Sequence, residues 1–224
     1  SETTKTPMYD DNGQLIGLVG VARDITERRK LEEKLIETND HLSTLVSTDT
    51  LTGIGNRRAY DSRLEQEWLR SARDQTTLCL VLLDVDYFKQ YNDTYGHKAG
   101  DNCLATLASF LSNERFIRRP SDFIARYGGE EFALILGNCS PTHALDVAND
   151  VIRRVREELA IPHSTSELNI TPRVLTISAG VGYITPNQSQ SPADLFHLAD
   201  AALYNAKSAG RNQSVMGVHS RGDT

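Results

Sequence analysis

The segment from Thr76 to Asp84, Thr-Thr-Leu-Cys-Leu-Val-Leu-Leu-Asp, restricts the fold of this chain more than any other. It is a nearly continuous apolar run, too short for a typical helix, and it reads as a buried strand. The strand emerges at Asp84-Val85-Asp86, which places two carboxylates at its end. A second constraint lies mid-chain: Phe123 to Tyr127, then Gly128-Gly129, then Glu130 to Leu136, reads as a β-hairpin, because two residues with free access to positive φ suit the twist of the flanking strands. Another strand is expected over Val174 to Tyr183.

Helices are expected over Asn56 to Arg73, with Tyr60, Leu64 and Trp68 on one side, and over Ala99 to Leu111 and His143 to Leu159. The last helix is capped by Ser191, has Pro192 in its first turn, buries Leu195, Leu198, Ala202, Leu203 and Ala206, and ends at Gly210. Two helices follow one another and a hairpin sits mid-chain, so strands and helices do not alternate as in a doubly wound sheet. The expected class is α+β, a largely antiparallel central sheet flanked by helices.

Ahead of that domain, Asp11-Asn12-Gly13 is a turn signal and Gln14 to Ala22 reads as a strand. A lone strand is not stable, so its partner is expected upstream of this segment, or else it lies loosely on the remainder. Asp24 and Glu27 form an N-cap pair, after which Leu31, Leu35, Thr38, Leu42 and Leu45 alternate at spacings of four and three through charged sequence. That seam predicts a long coiled-coil-like helix with a parallel partner; the alternative is a single helix docked on its own domain. The resulting division is residues 1–23, 24–47, 48–212 and a loose tail over 213–224.

With 224 residues and 39% hydrophobic content, the chain can bury one substantial core. No apolar run reaches the ~20 residues of a membrane-spanning helix, so the expected location is the cytoplasm, with any membrane anchor of the parent protein lying upstream. The net charge of -6, with scattered Lys and Arg, argues against a long nucleic acid as partner. Cys79, Cys103 and Cys139 are widely spaced and show no ligand-like pairing with the six histidines, which argues against structural zinc.

The chemistry gathers at the strand end. If the hairpin lies beside the first strand, three or four of Asp84, Asp86, Glu130 and Glu131 converge, and like charges that close need a cation. Magnesium suits hard oxygen donors and shares its shell with phosphates and water. The glycines at the hairpin tip would let a nucleotide approach the backbone. Tyr87, Phe88 and Lys89 open a helical turn whose free N–H groups can hold phosphate oxygens. Lys207 and Arg211, four apart, can share a face and clamp phosphates, although basic residues also complement a helix C-terminus with no ligand at all.

Asp49, Leu51-Thr52-Gly53, Asn56-Arg57-Arg58, then Asp84-Val85-Asp86-Tyr87-Phe88-Lys89, Asn92-Asp93, Tyr95-Gly96-His97, Gly100-Asp101, then Arg126-Tyr127-Gly128-Gly129-Glu130-Glu131-Phe132, and finally Asp200 to Arg211 closely resemble the GGDEF-domain diguanylate cyclases. The resemblance covers about Thr48 to Asn212 and implies the nucleotide-cyclase and polymerase-palm-like architecture. Gly17 to Ala22 followed by Arg23-Asp24-Ile25-Thr26-Glu27-Arg28 resembles the end of a PAS sensor domain entering its signalling helix.

The resemblance implies condensation of two GTP into cyclic di-GMP with release of pyrophosphate, across a homodimer brought together by the N-terminal helix. It implies two magnesium ions per half-site, replaceable by manganese, held by Asp84, the Val85 carbonyl and Glu130, with Glu131 as a further ligand or the group assisting deprotonation of the attacking hydroxyl. Asn92 and Asp101 would read the guanine edge; Lys207, Arg211 and the Tyr87, Phe88 and Lys89 turn would hold phosphates. Arg119-Pro120-Ser121-Asp122 matches the family's inhibitory R-x-x-D site, in which Arg119 and Asp122 bind the cyclic product; an ordinary surface ion pair is the plain alternative. The rival readings are a non-catalytic GTP or cyclic di-GMP receptor, a cyclase or mixed dinucleotide synthase using another purine, and a purely structural dimerisation module.

Overall fold

In the structure, a computed structural model, residues 2–9, 47–112, 116–163 and 173–218 are described, together with residues 11, 13–23, 25–27, 29, 30 and 34. The chain divides into two units, Ser1–Val46 and Ser47–Thr224.

In the first unit β1 (Glu2–Tyr9) pairs antiparallel with β2 (Leu15–Arg23), Glu2 opposite Arg23, with an irregularity between Met8 and Tyr9. The strand expected over Gln14 to Ala22 thus finds its partner within this chain rather than upstream. The polar β1 escaped notice because its strand character comes from Thr3, Thr4 and Thr6, whose β-branching suits a pleat without adding hydropathy. Beyond it, one helical hydrogen bond runs from the Arg29 N–H to the Ile25 carbonyl at 3.0 Å. Leu31, Leu35, Thr38, Leu42 and Leu45, the expected coiled-coil seam, lie outside the described residues.

The second unit opens with a turn built on Asp49, whose Oδ1 accepts from the Thr52 N–H at 2.9 Å and from its hydroxyl at 2.6 Å. Helix α1 (Arg57–Asp74) begins where Asn56 Oδ1 accepts from the Ala59 N–H at 3.0 Å, a one-residue refinement of the expected start. Strand β3 (Leu78–Val85) follows, then α2 (Phe88–Tyr95) and α3 (His97–Leu111), joined at Gly96, whose φ of +84° needs a glycine. Strands β4 (Phe123–Gly128) and β5 (Glu131–Leu136) form the hairpin, and α4 (Pro141–Arg154) runs into one π-helical turn over Val155–Leu159. Strand β6 (Ile177–Ile184), helix α5 (Pro192–Ser208) and strand β7 (Ser214–Met216) complete the unit.

The sheet order is β4-β5-β3-β6-β7, with every pairing antiparallel except the parallel β6–β7 edge. β3 is central and buried along its whole length. Its residues alternate between two cores: Cys79, Val81, Leu83 and Val85 join Leu104, Leu107 and Val151, while Leu78, Leu80 and Leu82 join Tyr60, Trp68 and Leu203. Helices cover both faces, which is why the strand reads as an unbroken apolar run. On β6, a Cβ added to Gly180 would run into the Ala199 carbonyl and the Leu203 N–H of α5, so this glycine sets the closeness of helix and sheet.

Two expectations change. The hairpin turns at Gly129 and Glu130, because Gly128 stays in the strand opposite Glu131 and an irregularity between Arg126 and Gly128 absorbs a residue. The tail is not loose from Gln213 onward: Ser214–Met216 pairs with Ala179–Val181, and the Gly217 N–H donates to the Val181 carbonyl at 2.7 Å. Three residues at a sheet edge leave no hydropathy signature.

Candidate active site

Sheet register alone brings the first acids together. Asp84, near the end of β3, stands opposite Glu131, which opens β5, and on its other side opposite Ser178 of β6. Glu130 sits in the turn, its carbonyl accepting from the Val85 N–H at 3.4 Å. Asp84 is 7% exposed, and Lys207, arriving from the last turn of α5, places its Nζ 2.7 Å from Asp84 Oδ2.

Burial pushes the Asp84 carboxyl up to about 6; Glu130 and Glu131 push the same way, while Lys207 opposes. The Glu131 carboxyl is also raised, first by burial and then by Glu130 and Asp200, with Lys207 and Arg57 opposing. Arg57 also lies over the Tyr127 ring, 4.4 Å from its centroid. Neither Arg57 nor Asp200 stood out as a site residue in the sequence. Arg57 opens a helix and Asp200 falls within the α5 motif, and only folding sets them around Glu131.

A raised folded-state pKa means that the folded protein holds this proton more tightly than the unfolded chain. Stability from Asp84 is therefore complete below the unfolded value of about 4 and is lost as pH rises through about 6. In metal-free protein, Asp84→Asn is expected to gain stability relative to wild type by about 2–3 kcal/mol between pH 4 and pH 7. Urea unfolding at each pH measures it; a difference independent of pH would contradict the burial of this carboxyl.

Asp86, in contrast, is not free to serve as a ligand. At 1% exposure it accepts from the Thr176 hydroxyl at 2.7 Å, the Ser178 hydroxyl at 2.7 Å and the Asn212 N–H at 3.1 Å. The converging acids are thus Asp84, Glu130 and Glu131. With the Val85 carbonyl they are hard oxygen donors of the kind a divalent cation takes, and they fit one in kind. Among the described residues no three acidic, histidine or cysteine side chains are gathered closely enough to hold an ion as they stand. Lys207 supplies the positive charge at Asp84 instead.

Around these acids lie the other expected residues. Tyr87 precedes α2 with φ +57°, so the turn opened by Tyr87 and Phe88 exists, and Lys89 is exposed in the first turn of that helix. Arg211 lies beyond the end of α5 rather than on its face. Its φ is +62°, and its guanidinium sits 4.5 Å from the Tyr87 ring centroid. Asn92 on α2 has a buried Oδ1 without a hydrogen-bond partner, an acceptor held out of water. It packs so close to Gly100 that a Cβ there would overlap it, and Asp101 follows Gly100 on the exposed side of α3. An unsatisfied acceptor beside an exposed carboxylate is a setting for a ligand offering N–H donors.

The hairpin tip is tied to the start of the domain. Arg126 Nε donates to the Gly129 carbonyl at 2.8 Å, while its Nη1 reaches both Asp49 oxygens at 3.2 and 3.3 Å. Burial pushes the Asp49 carboxyl up, but the hydrogen bonds from Thr52 and the charge of Arg126 prevail and hold it below its usual range. At the opposite end of the β4–β5 pair, Asp122 Oδ2 accepts from the Arg118 and Arg119 N–H groups at 3.1 and 2.9 Å, and Arg119 Nη1 donates to the Asn138 carbonyl at 2.8 Å. Arg119 and Asp122 line a cavity of about 300 Å³ shared with Arg118, His143, Asp146 and Asp150.

Residues 46–213 match the family described as diguanylate cyclase, GGDEF domain, and residues 1–30 match the PAS fold. Diguanylate cyclase DgcP of Pseudomonas aeruginosa is 41% identical over 168 residues, 74% of this chain and 23% of that protein. The chain therefore spans about a quarter of that relative's length. The coiled coil and GGDEF domain of DgcB from Caulobacter crescentus, solved in complex with c-di-GMP, superposes with a TM-score of 0.66 at 29% identity, covering 87% of this chain and all of that one. The active GGEEF domain of a diguanylate cyclase from Vibrio cholerae superposes with a TM-score of 0.62 at 31% identity, covering 74% and 98%. Because the family match spans strands β3 to β6 and every acid of the site, this chain belongs to the GGDEF-domain diguanylate cyclase family, preceded by the end of a PAS fold.

Proposed function

We propose that this chain condenses two GTP molecules into cyclic di-GMP, releasing two pyrophosphates. The observation that carries the proposal is the placing of Asp84 opposite Glu131 on adjacent strands, with Glu130 beside it in the β4–β5 turn and a basic group able to bind phosphate, Lys207, already in contact with Asp84. The intact GGEEF signature supports catalysis over a receptor role, as does the name of the Vibrio cholerae neighbour, which carries the same motif and is called active.

Asn92 and Asp101 read guanine, the amide offering donor and acceptor and the carboxylate accepting from the ring N–H and amino group. The Tyr87 and Phe88 amides, Lys89, Lys207 and Arg211 hold the β- and γ-phosphates. To do so, Lys207 exchanges Asp84 for a phosphate oxygen, which frees that carboxylate. Asp84, the Val85 carbonyl, Glu130 and Glu131 would hold magnesium, two ions per half-site with manganese able to replace it; when bound, it would supply charge neutralisation at the α-phosphate and a lower pKa for the ribose 3′-hydroxyl. Glu131, its carboxyl raised by burial, accepts the proton as that hydroxyl attacks the α-phosphate of the second GTP. Since each domain holds one GTP, two domains face each other, and the leucine seam at Leu31, Leu35, Leu42 and Leu45 raises their effective concentration. The coiled coil named in the DgcB neighbour supports that arrangement.

Incubation of the purified chain with GTP and magnesium, followed by chromatography and mass spectrometry, is expected to show cyclic di-GMP and pyrophosphate in a ratio of one to two. Tight GTP binding without product at any protein concentration would favour the receptor reading.

Arg119 and Asp122 form the inhibitory product site. The cavity they share supports this, as does the c-di-GMP bound to the DgcB neighbour. Arg119→Ala is expected to weaken product inhibition by about tenfold or more, the loss of a charge-assisted contact, without lowering the initial rate. Inhibition unchanged in a folded variant would remove Arg119 from that role.

A further inference from the structure

Asp86 is the acid that the proposed chemistry leaves unused, and it is the most firmly held of the four. Three donors occupy its two oxygens: Thr176 Oγ1 and the Asn212 N–H on Oδ2, and Ser178 Oγ on Oδ1. Its own N–H donates to the Thr176 carbonyl at 2.9 Å. A buried carboxylate so surrounded has three of its roughly four acceptor sites filled by protein donors and is shut off from solvent, so it is poorly placed to bind a ligand. Its bonds instead join three parts of the domain: the turn after β3, the start of β6 and the chain leaving α5.

Three of the six described non-glycine residues with positive φ meet at that junction. Tyr87, Arg211 and Asn212 all have positive φ, at +57°, +62° and +50°, a region that L-residues with a Cβ occupy only when their surroundings impose it. Two of these residues face each other: Arg211 Nη1 lies 3.4 Å from Tyr87 Oη, and its guanidinium stacks on the Tyr87 ring. The third, Asn212, is the one whose N–H Asp86 holds. Free of that bond, the Arg211-Asn212 pair would relax toward ordinary backbone angles and carry the guanidinium off the Tyr87 turn.

We infer that Asp86 is a positioning residue that fastens Arg211 over the Tyr87–Phe88 turn, so that guanidinium and backbone amides converge on the terminal phosphates of the nucleotide. The inference rests on the reading of this site as a GTP site. It assigns Asp86 to phosphate recognition rather than to metal binding, and it gives Thr176 and Ser178, polar residues two apart that flank the first residue of β6, their purpose as donors to it.

Calorimetric titration of the full chain with GTP and with GMP tests it, since GMP carries the guanine and lacks the terminal phosphates. Asp86→Asn places an amide against three donors and is expected to weaken GTP binding by about tenfold or more while leaving GMP within about twofold. Thr176→Val, which removes a single donor, is the milder second variant and should show a smaller loss confined to GTP. Because Asp86 acts through Arg211, the loss from Asp86→Asn should largely vanish when it is made in an Arg211→Ala background. Equal losses for GTP and GMP, unchanged GTP affinity, or full additivity with Arg211→Ala would each overturn the inference. A wild-type chain that binds neither nucleotide would instead refute the GTP site on which it rests, and the inference with it.

Discussion

Glu131→Gln is expected to lower the rate of cyclic di-GMP formation by about a thousandfold, the middle of the range for loss of a positioned proton acceptor. The substitution keeps shape and size at a residue whose backbone stays paired with Asp84, so the hairpin and the sheet remain. What it removes is a carboxylate with a raised pKa, able to take a proton and to contribute negative charge to the cation site. Initial rates of pyrophosphate release, with far-ultraviolet circular dichroism as a check on folding, measure the effect. A residual rate within tenfold of wild type would exclude Glu131 from both roles. Asp84→Ala should be at least as damaging, because it also strips Lys207 of the partner that holds it beside the site.

The largest effect on stability is expected at Gly180→Ala, two residues along β6 from the Ser178 that faces Asp84. A single methyl at that position would overlap the Ala199 carbonyl and the Leu203 N–H, which belong to the backbone of α5 and cannot turn aside as a side chain would. The helix must lift from β6, at a cost on the order of 3 kcal/mol or more. Since α5 carries Lys207 and leads into Arg211, the variant should also bind GTP more weakly. Thermal unfolding and nucleotide titration together test this. A midpoint within a degree or two of wild type would mean that helix and sheet are not so closely set. Gly182→Ala, whose nearest contacts are the Leu195 carbonyl at 2.7 Å and the Ala199 N–H at 2.9 Å, should cost less.

What could be read in advance follows from where each signal resides. β3 was legible because it is apolar on both faces, and α5 because its punctuation is local: Asp194 Oδ2 accepts from the Ser191 N–H and hydroxyl at 2.7 and 2.9 Å. The hairpin was legible but displaced by a residue, since an irregularity in pairing leaves no trace in composition. β1 and β7 were missed because threonines and a three-residue edge do not raise hydropathy. The end of α4 was misread as continuous helix, because Val155 to Leu159 keeps a helical pattern while its hydrogen bonds widen into a π-turn. Within the site, Asp84 and Glu131 could be matched from the hairpin's place beside β3. The role of Asp86 could not, because its partners Thr176, Ser178 and Asn212 are distant in sequence and announce nothing until β6 lies alongside.

The two-sided burial of β3 has a consequence for how the chain finds its alignment during folding. In a strand with one oily face, sliding by one residue exposes that face to water, and the error corrects itself. Here a slip would carry apolar residues from one core to the other with little loss of burial, so hydrophobicity does not mark the zero of the scale. That mark is polar: Asp86 finds its hydroxyl and amide donors in a single register, and in that register Asp84 faces Glu131. Slippage-prone packing and a fixed catalytic alignment are thereby reconciled. Variants that weaken the polar end of β3 should accumulate misaligned, compact species that refold slowly, even where the native state they finally reach is unchanged.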